Sequence, residues 1–178
     1  IQTKLIIAFS ALTLLFCIAL WLALSGMQNV TQSFNRYFEK NQVLLTEVQD
    51  MYGNGLLSGI ALRNLVLEPK LKKPFIVIPK AIKKFDTGFK RVKSLAMNNP
   101  VLLESLAKVD KNWQVSKKAK LRTLELMKQG QLDKAILTLT REEHPSWQKV
   151  RLGLQEIIEH ESRNILVLRD KLDSDSKS

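Results

Sequence analysis

The amino-acid sequence predicts an all-α protein, in which an N-terminal transmembrane helix continues into an up-down-up-down antiparallel four-helix bundle. Three observations predict this fold. An uncharged apolar run lies near the N-terminus, and the later apolar residues recur at spacings of three and four. Only 7 glycines and 5 prolines occur among 178 residues, a composition typical of helical proteins and not of loop-rich β-sandwiches.

The N-terminal apolar run is predicted to be a transmembrane helix. It extends without a charge from Leu5 to Gly26, and at a rise of about 1.5 Å per residue it would cross about 30 Å of hydrocarbon. A secretory signal peptide is the alternative, but the run is too long and its cleavage site too weak. Lys4 precedes the run and residues 28–35 carry no charge. The positive-inside rule therefore predicts that Ile1 lies on the cytoplasmic side of a membrane and that the bundle lies outside the cytoplasm.

The first helix is expected to continue beyond the membrane without a break. No proline occurs between Met27 and Leu67, and one apolar stripe follows helical spacing. The residues of this stripe are Val30, Phe34, Tyr37, Leu44, Val48, Met51 and Ile60. The helix is predicted to end at Glu68-Pro69, because a residue that precedes proline is disfavoured in the helical conformation.

Prolines set the expected bounds of the second helix. Pro74 and Pro79 predict that it begins only near Ile78 or Pro79. The turn Asn98-Asn99-Pro100 then places a proline at the first position of the third helix. The apolar face of the second helix is predicted to comprise Ile82, Phe85, Phe89, Val92 and Leu95 or Ala96.

Three more helices are expected after that turn. They are a third helix over residues 101–129 with Gly130 as its C-cap, a short helix over 131–140, and a last helix over 145–171 after a break at His144-Pro145. The apolar seams are Leu102, Leu106, Val109 and Trp113; Leu132, Ala135, Ile136 and Leu139; and Trp147, Val150, Leu154, Ile157, Ile165, Leu168 and Leu172.

Four main helices with short connections form an antiparallel bundle. The predicted organisation is a transmembrane helix over 5–26, a four-helix bundle over 27–172 and a polar tail over 173–178. An even number of helices returns the chain to the end at which the first helix emerged. A signal received in the bundle could therefore pass to the membrane along the first and last helices.

Three segments of the sequence resemble a known family. Residues 3–16, TKLIIAFSALTLLF, resemble the first membrane span of methyl-accepting chemotaxis proteins. Residues 51–69, MYGNGLLSGIALRNLVLEP, are similar to the distal half of the first periplasmic helix in chemoreceptors with a four-helix bundle, and residues 127–148 to the connector before their last helix. The resemblance implies a homodimeric periplasmic sensor, a ligand site between subunits near the membrane-distal end, and signalling regions in the cytoplasm.

The resemblance also indicates where a ligand would bind. In the aspartate and serine receptors, arginines on the distal part of the first helix hold the ligand carboxylate, and a residue at the start of the last helix completes the site. Arg63 falls at one arginine position, Asn54 and Gly59 fall at the other two, and His144 falls near the last-helix position. Because two of the three cations are missing, amino-acid recognition of that type is not expected.

Arg63 is nevertheless the main candidate for a ligand contact. It is the one charge between Leu57 and Leu67, and a guanidinium there could bind a carboxylate or a similar anion bidentately. The alternative is that it reaches solvent or caps carbonyls at the helix end. The other candidate ligand-binding residues are Asn64, Ser58, Asn54, His144 and Trp147, although core packing is the default for Trp147.

Two glycines indicate a close approach on the first helix. Gly55 and Gly59 lie one turn apart on one face, where each glycine costs a helix about 1 kcal/mol relative to alanine. They either allow a tight crossing of helices, within the bundle or in a dimer, or leave room for a ligand against bare backbone.

Several functional classes find no support in the sequence. Cys17 is the single cysteine, and His144 and His160 are too far apart on a helix to share a metal. We find no phosphate loop, HExxH motif, nucleophile elbow or cofactor motif, so no catalytic residue, metal or cofactor is expected. The net charge is +11, and the basic runs 70–73, 80–84 and 117–122 are interpreted as solvated faces and not as a nucleic-acid platform.

The leading hypothesis is the extracytoplasmic ligand-sensing domain of a bacterial chemoreceptor, which signals across the membrane by a small helix displacement. Its ligand would be a small molecule such as a carboxylate or another anion, or a periplasmic binding protein. One alternative keeps the sensor but couples it to a histidine kinase or a cyclic-dinucleotide enzyme. A second alternative is a membrane-tethered protein-interaction module, which an exposed apolar patch at the bundle tip would favour.

Overall fold

The protein consists of helices joined by short turns in the residues that its structure, a computed structural model, describes. These are residues 2–175, without the side chains of 2–13, 15, 23, 26–36, 168 and 171–175. The elements are α1 (Gln2–Leu67), α2 (Pro74–Leu95), α3 (Pro100–Lys128), α4 (Leu132–Thr138), a π-helical turn (Leu139–Glu143) and α5 (His144–Asp175). Within residues 2–175 there is no strand.

The chain divides into two units, Ile1–Lys40 and Asn41–Ser178. The first unit holds residues 5–26, the predicted transmembrane segment, for which several side chains (5–13, 15, 23 and 26) lie outside those described. Seven of its large apolar side chains are exposed: Leu14, Phe16, Ile18, Leu20, Trp21, Leu22 and Leu24. Among the described residues, no helix combines the length and the hydropathy that a membrane span requires.

The second unit is an antiparallel bundle of α1, α2, α3 and α5. Along α1 and α2, Glu47 pairs with Arg91, and Ala61 and Val77 line one groove nearer the α1–α2 connection. Residue numbers therefore rise in one helix as they fall in the other. The same holds for α3 and α5, where Trp113 contacts Trp147 and a side chain at Gly153 would meet Val109. The predicted up-down-up-down order is confirmed for this unit.

The bundle core follows most of the predicted apolar seams. Buried side chains include Leu44, Val48, Met51, Leu62 and Leu65 on α1; Ile78, Ile82, Phe85, Val92 and Ala96 on α2 and just after it; Leu102, Leu106, Val109 and Trp113 on α3; and Trp147, Val150, Leu154 and Ile157 on α5. The prediction was wrong for Tyr37 and Ile60, which are exposed. Ile60 follows Met51 by nine residues, about two and a half turns, which places it on the opposite side of the helix. Val30, Phe34, Leu168 and Leu172 lie outside the described side chains.

The second helix begins earlier than its prolines predicted. It starts at Pro74 and contains Pro79 in its interior. Pro74 is tolerated because it occupies the first helical position, where an N–H has no partner in any case. Pro79 leaves the Phe75 carbonyl without its helical donor. Both Pro74 and Ile78 are buried, and this burial offsets the cost of the interior proline.

The predicted start and end of the third helix are confirmed, because Pro100 is its first residue and Gly130 follows its last turn. Asn99 is the N-cap, and its side-chain oxygen accepts a hydrogen bond from the backbone N–H of Leu102 at 3.1 Å. Gly130 has φ of 70°, and the N–H of Gln131 donates to the Leu126 carbonyl. This 6→1 hydrogen bond is the Schellman arrangement that a glycine at positive φ permits.

The predicted break at His144-Pro145 does not occur. The chain passes from α4 through the π turn into α5 with helical geometry throughout, and the N–H of His144 donates to the Leu139 carbonyl. A regular turn here would press the Pro145 ring on the carbonyl of Arg141, and the wider π turn relieves this contact. The connector also buries Ala135 and Leu139 but leaves Ile136 exposed, contrary to the predicted face.

Candidate functional site

A buried ion pair lies inside the bundle between α3 and the π turn. The Lys120 ammonium donates to Glu143 Oε1, and neither side chain has any exposed surface. The second carboxylate oxygen, Glu143 Oε2, is buried without a hydrogen-bond partner. Two charges removed from water in this way form a costly arrangement that stays favourable only while both partners remain in contact.

The electrostatic surroundings work against the charge on Lys120. Burial lowers the pKa of its ammonium below the ordinary lysine value, and the charge of Glu143 and its hydrogen bond oppose that shift. The positive charge of Arg63 lowers the same pKa further. The charge of Arg63 therefore influences the ion pair, so a change at Arg63 would alter the pKa of Lys120.

Two glycines of α1 allow other groups to approach its backbone. A Cβ atom at Gly55 would overlap the Trp147 ring, and one at Gly59 would lie 3.6 Å from Lys120 Nζ and 3.9 Å from Glu143 Oε1. The Lys120 ammonium also lies 5.3 Å from the centroid of the Trp147 ring, within the range of a cation–π interaction. The glycine pair therefore serves close packing within the bundle, one of the two interpretations of its spacing.

Arg63 and His144 contact each other at the surface, near the buried ion pair of Lys120 and Glu143. Arg63 Nη2 lies 3.1 Å from His144 Nδ1. Arginine has no acceptor, so it must donate, and Nδ1 must carry no proton. The imidazole proton then sits on Nε2. Arg63 is half-buried and His144 exposed, so both side chains are accessible to an anion from solvent.

A family comparison agrees with this architecture. The model of a four-helix-bundle sensory module for signal transduction matches residues 1–164. The chain belongs to this family, the sensory modules of methyl-accepting chemotaxis proteins. Comparisons with curated proteins and with solved structures gave no match.

The sensory module brings together part of the predicted site. Arg63 and His144, 81 residues apart in the chain, are in contact. Trp147 is buried in the core against Gly55 and Lys120, so its default interpretation as a packing residue fits the structure.

The three predicted polar companions lie elsewhere in the sensory module. Ser58 is buried and donates to the Gly55 carbonyl at 2.7 Å. Asn54 donates to the Asp50 carbonyl and lines a groove between α1 and α2. Asn64 is exposed and lines a different groove near the α1–α2 connection. The structure does not bring these side chains to Arg63.

Sequence analysis missed the buried ion pair. Lys120 was interpreted as part of the solvated basic run 117–122, and Glu143 was not among the candidate residues. A signal was nevertheless present, because Lys120 follows Trp113 by seven residues and so continues the apolar seam of α3. Glu143 lies four residues from both Leu139 and Trp147, which are also buried.

Proposed function

We propose that this sensory module is the extracytoplasmic ligand-sensing part of a bacterial chemoreceptor, anchored in the inner membrane by residues 5–26 and active as a homodimer. The family supports the sensory role. The anchor is supported by the uncharged apolar sequence of residues 5–26 and by the exposed apolar side chains at positions 14–24. The dimer is proposed from the resemblance of the sequence to chemoreceptors.

The observation that carries the proposed site is the contact between Arg63 and His144. It joins α1 to the start of α5, the two helices that the proposal connects to the membrane. A carboxylate or similar anion bound by the guanidinium and the imidazole would favour one relative position of these helices over another. A ligand that binds one position better shifts the population toward it, and a small helix displacement is enough to transmit the signal.

The buried ion pair gives this displacement a second anchor. His144 follows Glu143 directly, and Glu143 is held by Lys120 of α3. A ligand that moves His144 therefore acts on a segment fixed one residue away in the core. In the proposal the module has no catalytic role of its own, and it controls a chemotaxis output or, alternatively, a histidine kinase or a cyclic-dinucleotide enzyme.

A second candidate function is a membrane-tethered protein-interaction module. It is favoured by a groove of about 240 Å³ near the α1–α2 connection, lined mainly by apolar side chains including Leu57, Ile60 and Val77. Leu67 and Ile76 nearby are 82% and 72% exposed. Exposed apolar side chains grouped in this way are typical of surfaces that bind another protein. The occupant would be a periplasmic binding protein or another extracytoplasmic protein.

Thermal-shift measurements on the 178-residue chain in a nonionic detergent test the proposed anion site. Organic acids, amino acids and inorganic anions would be screened against wild type, Arg63→Ala and the control Arg141→Ala, which removes an exposed arginine of the π turn. A ligand at about 100 times its dissociation constant adds about 2.7 kcal/mol of stability. We expect a carboxylate whose stabilisation is lost in Arg63→Ala and kept in Arg141→Ala.

The other outcomes of this screen lead to different conclusions. A ligand whose effect survives Arg63→Ala would show that the module senses a small molecule at another site. A screen in which no compound stabilises the wild-type chain would overturn the direct anion sensor and favour the protein-interaction module.

A further inference from the structure

The positive charge of the module is concentrated on α2 and the connection before it. Residues 68–95 contain nine lysines and arginines but only two acidic residues, Glu68 and Asp86. This segment, less than a sixth of the chain, thus accounts for +7 of the net charge of +11. Asp86 faces α3, where it accepts hydrogen bonds from Trp113 and Lys117, so it does not neutralise the outer face of α2.

A groove between α1 and α2 collects part of this charge. Its volume is about 520 Å³, and Lys80, Lys83, Lys84 and Arg91 all line it. Lys83 and Lys84 follow Lys80 by three and four residues, so both lie about one turn from it on the side of the helix that lines the groove. Among the residues whose side chains are described, none forms an ion pair with these three lysines, whereas Arg91 pairs with Glu47 at 2.9 Å.

The opposite wall of the groove offers little competition for the lysines. It is formed by Glu47, Asp50 and Asn54 of α1. The Glu47 carboxylate is already bound to Arg91. Asp50 is exposed, and its backbone carbonyl accepts from the Asn54 amide at 2.7 Å. One free carboxylate therefore faces three ammonium groups, and the floor of the groove remains positively charged.

We propose that this groove binds a small multivalent oxyanion, a compound with two or three phosphate or carboxylate groups. Three like charges on adjacent turns repel one another, and an anion of matching charge placed between them relieves that repulsion. A monovalent ion gains too little to compete with screening by physiological salt. Lysines act as point charges and not as planar forks, so the groove selects for charge more than for geometry.

The groove is distinct from the contact between Arg63 and His144. Asn54 and Arg63 are nine residues apart on α1, about two and a half turns, and so lie on opposite sides of that helix. The lysines of the groove belong to α2, and His144 belongs to α5. An oxyanion in the groove would hold α1 against α2, and this site goes beyond the proposed sensing role of Arg63.

Isothermal titration of the 178-residue chain with pyrophosphate and with citrate tests the groove, in nonionic detergent at constant ionic strength. The groove variant is the triple substitution K80Q/K83Q/K84Q. The matched control K111Q/K118Q/K149Q removes the same charge from exposed lysines of α3 and α5. We expect at least one probe to bind, and its affinity to fall about tenfold in the groove variant and less than about twofold in the control, because charge-assisted contacts are short-range at this salt concentration.

Two further variants make the result decisive. K80R/K83R/K84R keeps the charge and should bind like wild type, and Arg63→Ala should leave the titration unchanged because it lies on the other side of α1. Pyrophosphate binding without citrate binding would assign the groove to phosphates, and the reverse to carboxylates. The proposal is overturned if neither probe binds the wild-type chain, or if the groove variant and the control lose affinity equally. Loss of binding in Arg63→Ala alone would instead assign the anion to the Arg63 site.

Discussion

Removing the carboxylate of Glu143 should destabilise the bundle far more than removing an exposed one. The substitution Glu143→Gln keeps the size of the side chain but leaves the ammonium of Lys120 buried without its counter-charge. Breaking a buried ion pair in this way costs about 3–5 kcal/mol. The Trp147 ring 5.3 Å away retains some attraction for the ammonium, so we expect a loss near the lower bound, about 3 kcal/mol.

Urea unfolding followed by helical circular dichroism measures this loss. For a domain of this size, about 3 kcal/mol also lowers the melting temperature by about 6–12 °C. The matched control is Glu104→Gln, which removes the acidic partner of Lys108 in a fully exposed pair at 2.8 Å. That substitution should leave the unfolding midpoint unchanged, because solvent and salt screen exposed pairs.

A double substitution distinguishes an ion pair from general crowding. Lys120→Met together with Glu143→Leu replaces both charges by apolar groups of similar size, and its stability should lie within about 1 kcal/mol of wild type. Each charge removed alone should cost much more than the two removed together. Additive losses in this cycle, or a change below about 1 kcal/mol in Glu143→Gln, would refute the assignment of a coupled buried pair.

The loss in Glu143→Gln should also depend on pH. Burial lowers the pKa of Lys120 in the folded chain, so over part of the pH range the unfolded chain binds a proton that the folded chain has released. The contribution of Lys120 to the free energy of unfolding is constant at pH values below its folded pKa. It rises with pH between that pKa and the unfolded value of about 10.4. Glu143 raises the pKa of Lys120, so Glu143→Gln should begin this rise at a lower pH than wild type. Lys120→Met should abolish it.

Four other substitutions test the packing and the helix ends, each by the change in unfolding free energy. Gly55→Ala should destabilise the chain by about 1–3 kcal/mol because the new methyl group meets the Trp147 ring. Gly53 has open space around it, so Gly53→Ala should stabilise the chain by about 0.5–1 kcal/mol. Equal effects of the two substitutions would contradict the close contact at Gly55. Pro79→Ala should stabilise α2 by about 1–3 kcal/mol because it restores a backbone donor at an exposed position. A loss of stability would mean that the proline shapes the helix. Asn99→Ala should cost about 1 kcal/mol through the lost N-cap, and an unchanged midpoint would show that water replaces the cap.

The sequence predicted the helices well where single residues dictate local geometry. Pro100 and Gly130 each have one strongly favoured role at a helix end, and the structure places each in that role. The start of α2 could not be predicted in this way. Local preference disfavours a helix through Pro79, and only the burial of Pro74 and Ile78 against the rest of the bundle reverses that preference.

The candidate site was predicted in part for a similar reason. Arg63 and His144 stand out as polar residues near helix ends, so their chemistry identified them before their contact was known. Asn54 and Asn64 were grouped with Arg63 by closeness in sequence, but residues a few positions apart point to different sides of a helix. Lys120 lies in a run of basic residues, and its charge concealed the fact that its position belongs to the core.

The π turn determines which residues of the segment from α4 to α5 face the core. From Ala135 through Leu139 and Glu143 to Trp147, every fourth residue is buried. A regular α-helix would advance this stripe by about 40° at each step and turn it away from the core within three steps. The π turn has more than four residues per turn, so it rotates the stripe back toward the core. Its effect is that of one extra residue inserted into an α-helix. The register of α5, from Trp147 to Ile157, is thus set upstream by the width of a single turn.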